Sequence, residues 1–361
     1  MTNALSIKKI MDGIEPLDEK WIVKARERTA QLVMPTRAMG RLHDISERLC
    51  GIQKTLKPKI DCKAVLVMAG DHGVVEEGVS AYPQEVTGAM VQTFLAGGAG
   101  INAISRHIGA DVKVVDMGII QDLDPESIDG GHKLLKRKLS HGTANLAKAP
   151  AMTRQLAEQA ILIGFKLASD LFRDGIEILG TGDMGIGNTT PSAAIGVVIT
   201  GKTTEQLVGR GTGIDDNSLI KKREVVTRGI QTNNPDPRDG LDVLSKVGGF
   251  EIGGIAGCVL AGAFHSRPVV IDGFISTAGA LIAHTLCPLV TEYIFAGHRS
   301  EEAGHGSMLT YLGLDPILDL GMRLGEGTGG ALAMSVIDGA VHVFNEVLTF
   351  KEAGVSDKNS S

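Results

Sequence analysis

The chain has 361 residues, 43% of them apolar and 22% charged, with a net charge of −6, which makes it long for one domain, short for three and rich enough in apolar residues to bury a large core. Aromatics make up only 4% and glycines number 47, well above the usual share of about 7%, a balance that fits an α/β enzyme with many close backbone approaches better than an aromatic-rich binding module. Net acidity argues against a nucleic-acid partner, and the glycine-rich stretch 252–263 is too short to span a bilayer, so no membrane partner is expected.

Along the chain, residues 18–33 and 41–56 read as amphipathic helices split near Pro35, with no strand pattern in the first sixty residues. Five apolar runs then share one grammar, a short β-rich segment closed by an acidic residue and glycine: 64–73, 112–118, 176–183, 268–273 and 316–321. Helical patterns lie between most of them. Unbroken Val/Ile/Leu runs alternating with helices predict a doubly wound, mostly parallel α/β sheet buried on both faces. In such sheets ligands bind beyond the carboxyl ends of the strands, where these acidic residues and glycines stand. The basic cluster Lys133–Lys138 has no interleaved aromatics and reads as a solvated helix face. The last thirty residues return to helix before a polar tail, 356–361, expected to be disordered. The expected division is a large α/β domain over 60–320 and a smaller helical domain built from both termini, 1–59 and 321–361. Cys50, Cys62, Cys258 and Cys287 form no CxxC pair and, with no signal peptide read at the start, are taken as reduced thiols in a cytoplasmic protein.

Two glycine-rich loops carry the chemistry. Residues 321–330, Gly-Met-Arg-Leu-Gly-Glu-Gly-Thr-Gly-Gly, place Glu326 in a glycine cage where a ligand can approach the backbone closely. An apolar helix follows, whose first amides could hold an anion. The loop 180–190, Gly-Thr-Gly-Asp-Met-Gly-Ile-Gly-Asn-Thr-Thr, offers Asp183, Asn188, Thr189 and Thr190 to a ribose phosphate at another helix start. Two such loops over one cleft point to an enzyme for a phosphorylated small molecule. The segment Gly196–Thr203 fits the Walker A expression, but it follows a helical run instead of a strand, so it reads as a helix end capped by Gly201. Gly180-x-Gly-x-x-Gly185 fits a dinucleotide fingerprint, yet no second strand with an acidic residue follows, which counts against a nicotinamide-dependent oxidoreductase. Asp71-His72 with His298 and His305, which one helix would place on one face, lacks a short ligand pair, so neither a metal nor a cofactor is expected. Residues 235–240 read as a turn into a short helix.

With these residues in view, the chain resembles the nicotinate mononucleotide:dimethylbenzimidazole phosphoribosyltransferases. The likeness rests on Ala64-Val-Leu-Val-Met-Ala-Gly-Asp-His-Gly-Val, Gly185-Ile-Gly-Asn-Thr-Thr-Pro, the block 234–250, Pro268-Val-Val-Ile-Asp-Gly-Phe-Ile-Ser and Met322-Arg-Leu-Gly-Glu-Gly, in order over about residues 15 to 350. The resemblance implies a Rossmann-like large domain, a small helical domain and an obligate dimer. It also implies displacement of nicotinate from C1′ of the ribose, with inversion, by an acceptor activated by Glu326. That role agrees with the chemistry of the residue, because a carboxylate desolvated in a closed pocket is raised towards neutrality and becomes a competent base. Nucleotide contacts carry over to Gly185, Ile186, Gly187, Asn188, Thr189 and Thr190, with Gly297, Arg323, Leu324 and Gly325, and to Lys222 reaching across the dimer interface.

Departures from the family pattern are informative. Asp183 stands where the family usually has Glu, one methylene shorter, and leaves open a catalytically silent subunit of a paralogous pair. Residues 34–40, Met-Pro-Thr-Arg-Ala-Met-Gly, depart from a family Lys-Pro-Pro-Gly-Ser-Leu-Gly. Benzimidazole-using members carry Ser and Gln where this chain has Tyr82 and Met90, and often Leu where it has Met184. Together with Leu324 these form the expected acceptor pocket. An apolar slot with one base suits a phenol ring better than an imidazole edge, and the changes resemble the phenol/p-cresol-activating branch, whose members pair two paralogous chains. Phenol or p-cresol is therefore the favoured acceptor and 5,6-dimethylbenzimidazole the alternative, with the dimer partner either a second copy or a paralogue.

Overall fold

The computed structural model describes residues 6–123, 133–211 and 213–356. The expected disorder of the tail lies almost wholly outside them. The first helices are α1 (Ile7–Asp12), α2 (Glu19–Thr29) and α3 (Arg41–Gln53), followed by β1 (Lys63–Gly70), α4 (Val86–Leu95), α5 (Gly100–Ile108), β2 (Ala110–Gly118) and β3 (Leu134–Lys136). The middle of the chain supplies α6 (Arg154–Arg173), β4 (Ile178–Met184), α7 (Thr189–Thr200), α8 (Thr204–Leu207), α9 (Asp216–Asn233), α10 (Gly240–Val247) and α11 (Phe250–Phe264). Then come β5 (Val269–Ile271), α12 (Phe274–Leu286), β6 (Ile294–Ala296), α13 (His305–Leu312), α14 (Thr328–Glu346) and α15 (Phe350–Ala353).

The strands form one six-stranded sheet in the order β3-β2-β1-β4-β5-β6, with every pairing parallel. This is the doubly wound α/β order expected from the alternating runs, and its direction reverses between β1 and β4. Strand β1 is buried along its whole length, and its two faces meet different helices. On one face, Cβ atoms added to Gly180 and Gly327 would lie against Val65, and the Gly180 one also against Met334 of α14. On the other, a Cβ on Gly254 of α11 would touch Met68 and Met117. Alternate residues of a strand point to opposite faces, so α14 and α11 sandwich the sheet between them.

Behind α11, helix α6 approaches so closely that glycine is required on both sides. A Cβ on Gly164 would stand 1.9 Å from the carbonyl oxygen of Gly254, and one on Gly257 2.0 Å from that of Ile161. Helices α2 and α3 pack on each other, and α3 packs on α14. There the N-terminal chain meets the C-terminal one through Val33 N–H to Leu348 O and Phe350 N–H to Gln31 O.

Three readings are corrected by the fold. Lys133–Lys138 does not form a helix: Leu134–Lys136 is an edge strand on β2, because burying Leu134 (8% exposed) in the sheet outweighs any single helical turn. Run 316–321 is not a sheet strand. Ile317 and Leu318 donate to Ala296 and Gly297 in one isolated bridge beside β6, and the pairing extends no further. The sixth strand is instead Ile294–Ala296, an apolar run followed by Gly297 but by no acidic residue to mark its end. His298 and His305 do not share a helix, since α13 begins at His305. By contrast, residues 189–200 form a helix stopped by Gly201 at φ +69°.

The α6–α11 contact yields a test. Gly164→Ala should cost about 2 kcal/mol or more of unfolding free energy through overpacking, measured by urea denaturation; wild-type stability in that variant would mean that the helices separate freely.

Candidate active site

Beyond the carboxyl ends of β1, β4 and β5 lies a cavity of about 440 Å³. Its walls bring together Glu326, Asp183, Tyr82, Met90, Met184, Leu324, Gly185, Ile186, Asn188, Thr189, Arg323 and Gly325, twelve of the sixteen residues that the sequence singles out. Tyr82 is 53% exposed and stands at the mouth. Leu324 is also exposed, whereas Met90 and Met184 are half-buried and pack against the core.

Glu326 is buried and adopts φ +63°, between Gly325 at +82° and Gly327 at +94°. Three successive left-handed residues make a sharp reversal that only flanking glycines allow cheaply. The reversal presses its backbone onto β4, where a Cβ on Gly182 would meet the Glu326 carbonyl oxygen at 2.3 Å. Its carboxylate Oε2 accepts the Ile101 N–H at 3.0 Å, from the first turn of α5. Asp272, at the end of β5, ties the loop down: Oδ2 accepts Gly327 N–H at 3.1 Å and Oδ1 accepts Gly330 N–H at 2.8 Å. The amides at the start of α14 are therefore held by an internal carboxylate, not left for a ligand anion as the sequence suggested.

Asp183 ends β4 and accepts from Asn188 Nδ2 at 2.8 Å, with Gly325 directly above it. Burial, followed by the charge of Asp272, lifts Asp183 well above the usual carboxylate range. Glu326 is raised by burial, opposed by the Ile101 amide and reinforced by Asp272. Asp272 is itself raised by burial, against the stabilising neighbour His298. His298 Nε2 lies 3.6 Å from Asp272 Oδ1, and His305, linked to Thr277 Oγ1 and to the Ser300 N–H, is held neutral by burial, which lowers it to about 3. Among the described residues, no three His, Cys, Asp or Glu side chains are grouped to hold a metal ion.

Four singled-out residues stand off the cavity wall. Gly187, at φ +87°, packs against Val75, and Thr190 is fully buried at the start of α7. Gly297 packs against Gly330 and so supports the α14 start. Lys222, buried on α9, donates to Thr189 Oγ1 at 2.7 Å within its own chain, where the resemblance implied a reach across a dimer interface. Burial lowers Lys222 to about 8, with Glu302 opposing. Several wall residues were missed: Val86, Gly211, Gly273, Phe274, Ile275, Ser300 and Glu302, with His298 read only as a support. The signal for Gly273–Ile275 was available, because they directly follow the acidic end of run 268–273. Gly211 lies in the overlooked segment Gly209-Arg-Gly-Thr-Gly213.

Comparison with known proteins gives the family. A phosphoribosyltransferase family model matches residues 14–355. The nicotinate-nucleotide–dimethylbenzimidazole phosphoribosyltransferase of Chloroflexus aggregans is 49% identical over 355 residues, covering 98% of this chain and 99% of its own. The enzyme of the same name from Geotalea uraniireducens is 51% identical over 351 residues, covering 97% and 98%. A crystal structure of the Thermus thermophilus enzyme of that name superposes with a TM-score of 0.88 at 44% identity, covering 94% of this chain and 100% of that one.

The carboxylate crowding is testable directly. Asp272→Asn removes a like charge that raises Glu326, so Glu326 should titrate at lower pH than in wild type, followed by carbon-13 NMR of side-chain-labelled glutamate. An unchanged or higher titration would show that Asp272 is not charged beside it.

Proposed function

The chain belongs to the phosphoribosyltransferase family, and from that premise we propose that it transfers the phosphoribosyl group of nicotinate mononucleotide to an aromatic cobamide lower-ligand precursor, giving an α-ribotide and nicotinate. The observation that carries this reading is the buried Glu326 carboxylate, fixed in a glycine cage on the wall of the cavity that also holds the loop 185–190.

The donor phosphate binds at the start of α7, where Thr189 Oγ1, the Lys222 Nζ it pairs with and the positive end of the helix favour an anion. Lys222 has no carboxylate within ion-pair distance among the described residues, so a phosphate supplies the charge its buried ammonium needs. Arg323 lines the same cavity. The ribose then lies between Asp183 and Glu326. The acceptor occupies the apolar part of the cavity among Val86, Met90, Met184, Phe274 and Leu324, with its N–H or O–H towards Glu326.

In the reaction the bond from C1′ to the pyridinium nitrogen breaks and its electron pair returns to that nitrogen. No proton is needed on the leaving group. A phenol oxygen bonds to C1′ from the opposite face and its own proton passes to Glu326; in dimethylbenzimidazole the unprotonated ring nitrogen bonds to C1′ while the proton on the other ring nitrogen passes to Glu326. The oxocarbenium-like state between them carries positive charge, which the carboxylates of Asp183 and Glu326 face. Asp183 also anchors Asn188 at the donor loop.

The acceptor distinguishes two readings. Relatives near half identity are named for dimethylbenzimidazole, and we take that acceptor first. Tyr82 and Met90, where polar residues stand in benzimidazole users, favour a phenol or p-cresol as the second. Either acceptor delivers one proton to one base. The chain acts as a dimer in either reading, with a second copy or a paralogue as partner.

Two outcomes are expected. Glu326→Gln should lower transfer at least ~100-fold with melting temperature retained, assayed with nicotinate mononucleotide and acceptor by mass spectrometry of the ribotide; near-normal turnover would remove Glu326 from the base role. With dimethylbenzimidazole, phenol and p-cresol supplied separately, the double variant Tyr82→Ser, Met90→Gln should shift preference towards dimethylbenzimidazole by about tenfold, the worth of one or two hydrogen bonds. An unshifted preference would mean that these two positions do not choose the acceptor.

A further inference from the structure

The donor loop and the acceptor wall come from different parts of the chain, and one buried side chain joins them. Thr87, fully buried, is the second residue of α4, the helix that presents Val86 and Met90 to the cavity. Its Oγ1 accepts the N–H of Ile186 at 3.0 Å, and Ile186 lies between Gly185 and the left-handed Gly187 in the donor loop. Burial raises the Asp71 carboxyl, and the Thr87 hydroxyl is among the neighbours that oppose that rise. Asp71 is buried at the end of β1 and accepts the Ile120 N–H at 2.8 Å with Oδ2. The loop is thus referenced through Thr87 to the end of the central strand, and the wall helix is referenced to the same point.

We propose that Thr87 is a positioning residue for the transfer, its hydroxyl holding the acceptor wall on α4 in register with the donor loop. The inference rests on the functional reading above. It goes beyond that reading by naming a residue that touches neither substrate yet sets how filling one half of the site prepares the other. Donor bound on the loop fixes the Ile186 amide, the amide fixes Thr87, and Thr87 fixes the depth at which α4 presents Met90. By reciprocity, acceptor bound against α4 must tighten the donor by the same factor.

The test uses the full chain and initial rates over a grid of nicotinate mononucleotide and dimethylbenzimidazole concentrations. Wild type should show a donor KM that falls as acceptor is raised. Thr87→Val keeps the shape but strands the Ile186 N–H, so it should raise donor KM about fivefold and abolish its dependence on acceptor. Thr87→Ser keeps the hydroxyl and should restore both properties. Should the valine variant not fold, Thr87→Ala takes its place with the same expectation. The inference is overturned if the variant lacking the hydroxyl behaves as wild type, if Thr87→Ser is equally impaired, or if wild-type donor KM ignores the acceptor. A wild-type chain that makes no ribotide removes the functional reading and this inference with it; active wild type with an indifferent hydroxyl-less variant removes the inference alone.

Discussion

The backbone of Glu326 rests on the backbone of β4 with no side chain between them, and much of the site follows from that contact. A Cβ on Gly182 would lie 2.3 Å from the Glu326 carbonyl oxygen, and one on Gly327 3.2 Å from the Cα of Gly182. The approach is possible only because glycine occupies both sides and because residues 325–327 all take positive φ. Such a turn costs free energy at its one non-glycine residue. The bonds from Gly327 and Gly330 to Asp272 offset that cost, and the α5 amide at Ile101 fixes the direction of the carboxylate. A general base needs a defined orientation as much as a suitable pKa. Here orientation comes from a strand end, a helix start and a carboxylate of the next strand, all rigid elements of the sheet.

That arrangement concentrates negative charge. Glu326, Asp183 and Asp272 are all buried at the same strand ends, and all three are raised above the ordinary carboxylate range, with burial as the first cause. A raised folded-state value means that the folded chain holds these protons more tightly than the unfolded chain does. Their contribution to stability is complete below the ordinary carboxylate pKa and is lost as pH rises through the raised values. The site is therefore under electrostatic load near neutrality, where the proposed base must be ionised to act. Function and stability pull in opposite directions at these three residues, as is common where a fold carries a poised base.

How much of this was legible in the sequence depends on the length of the signal. The long runs at 64–73, 112–118 and 176–183 identify β1, β2 and β4, because β-rich segments of seven to ten residues closed by an acidic residue and glycine have few other uses. Strands β3 and β6, of three residues each, leave too short a trace. Leu134–Lys136 is hidden in a basic cluster, and run 316–321 imitates a strand but makes only one isolated bridge. Glu326 and Asp183 were legible from their glycines. The cage itself, however, is closed by Asp272 and Ile101, residues separated from Glu326 by 54 and 225 positions, which no local pattern connects. Lys222 shows the opposite case: the resemblance named it, yet no local pattern tells that α9 buries its ammonium against Thr189.

The load on the carboxylates also fits the proposed donor, whose pyridinium ring is cationic at the reacting end. In the proposed binding mode a nicotinate nucleotide brings a positively charged pyridinium ring to the same space as Asp183 and Glu326, while its phosphate goes to the buried ammonium of Lys222. Each end of the donor neutralises a charge that burial has left costly. On that proposal, bound donor lowers the carboxylate pKa values and raises that of Lys222, drawing every group towards the charge state that the chemistry needs. As the C1′–N bond breaks, the positive charge moves from the ring to the ribose. It stays within the field of the same two carboxylates, so the site gains in the transition state what it already invested in the ground state. Departing nicotinate is anionic and leaves that field with no attraction to overcome, so the electrostatics that hold the donor do not hold the product.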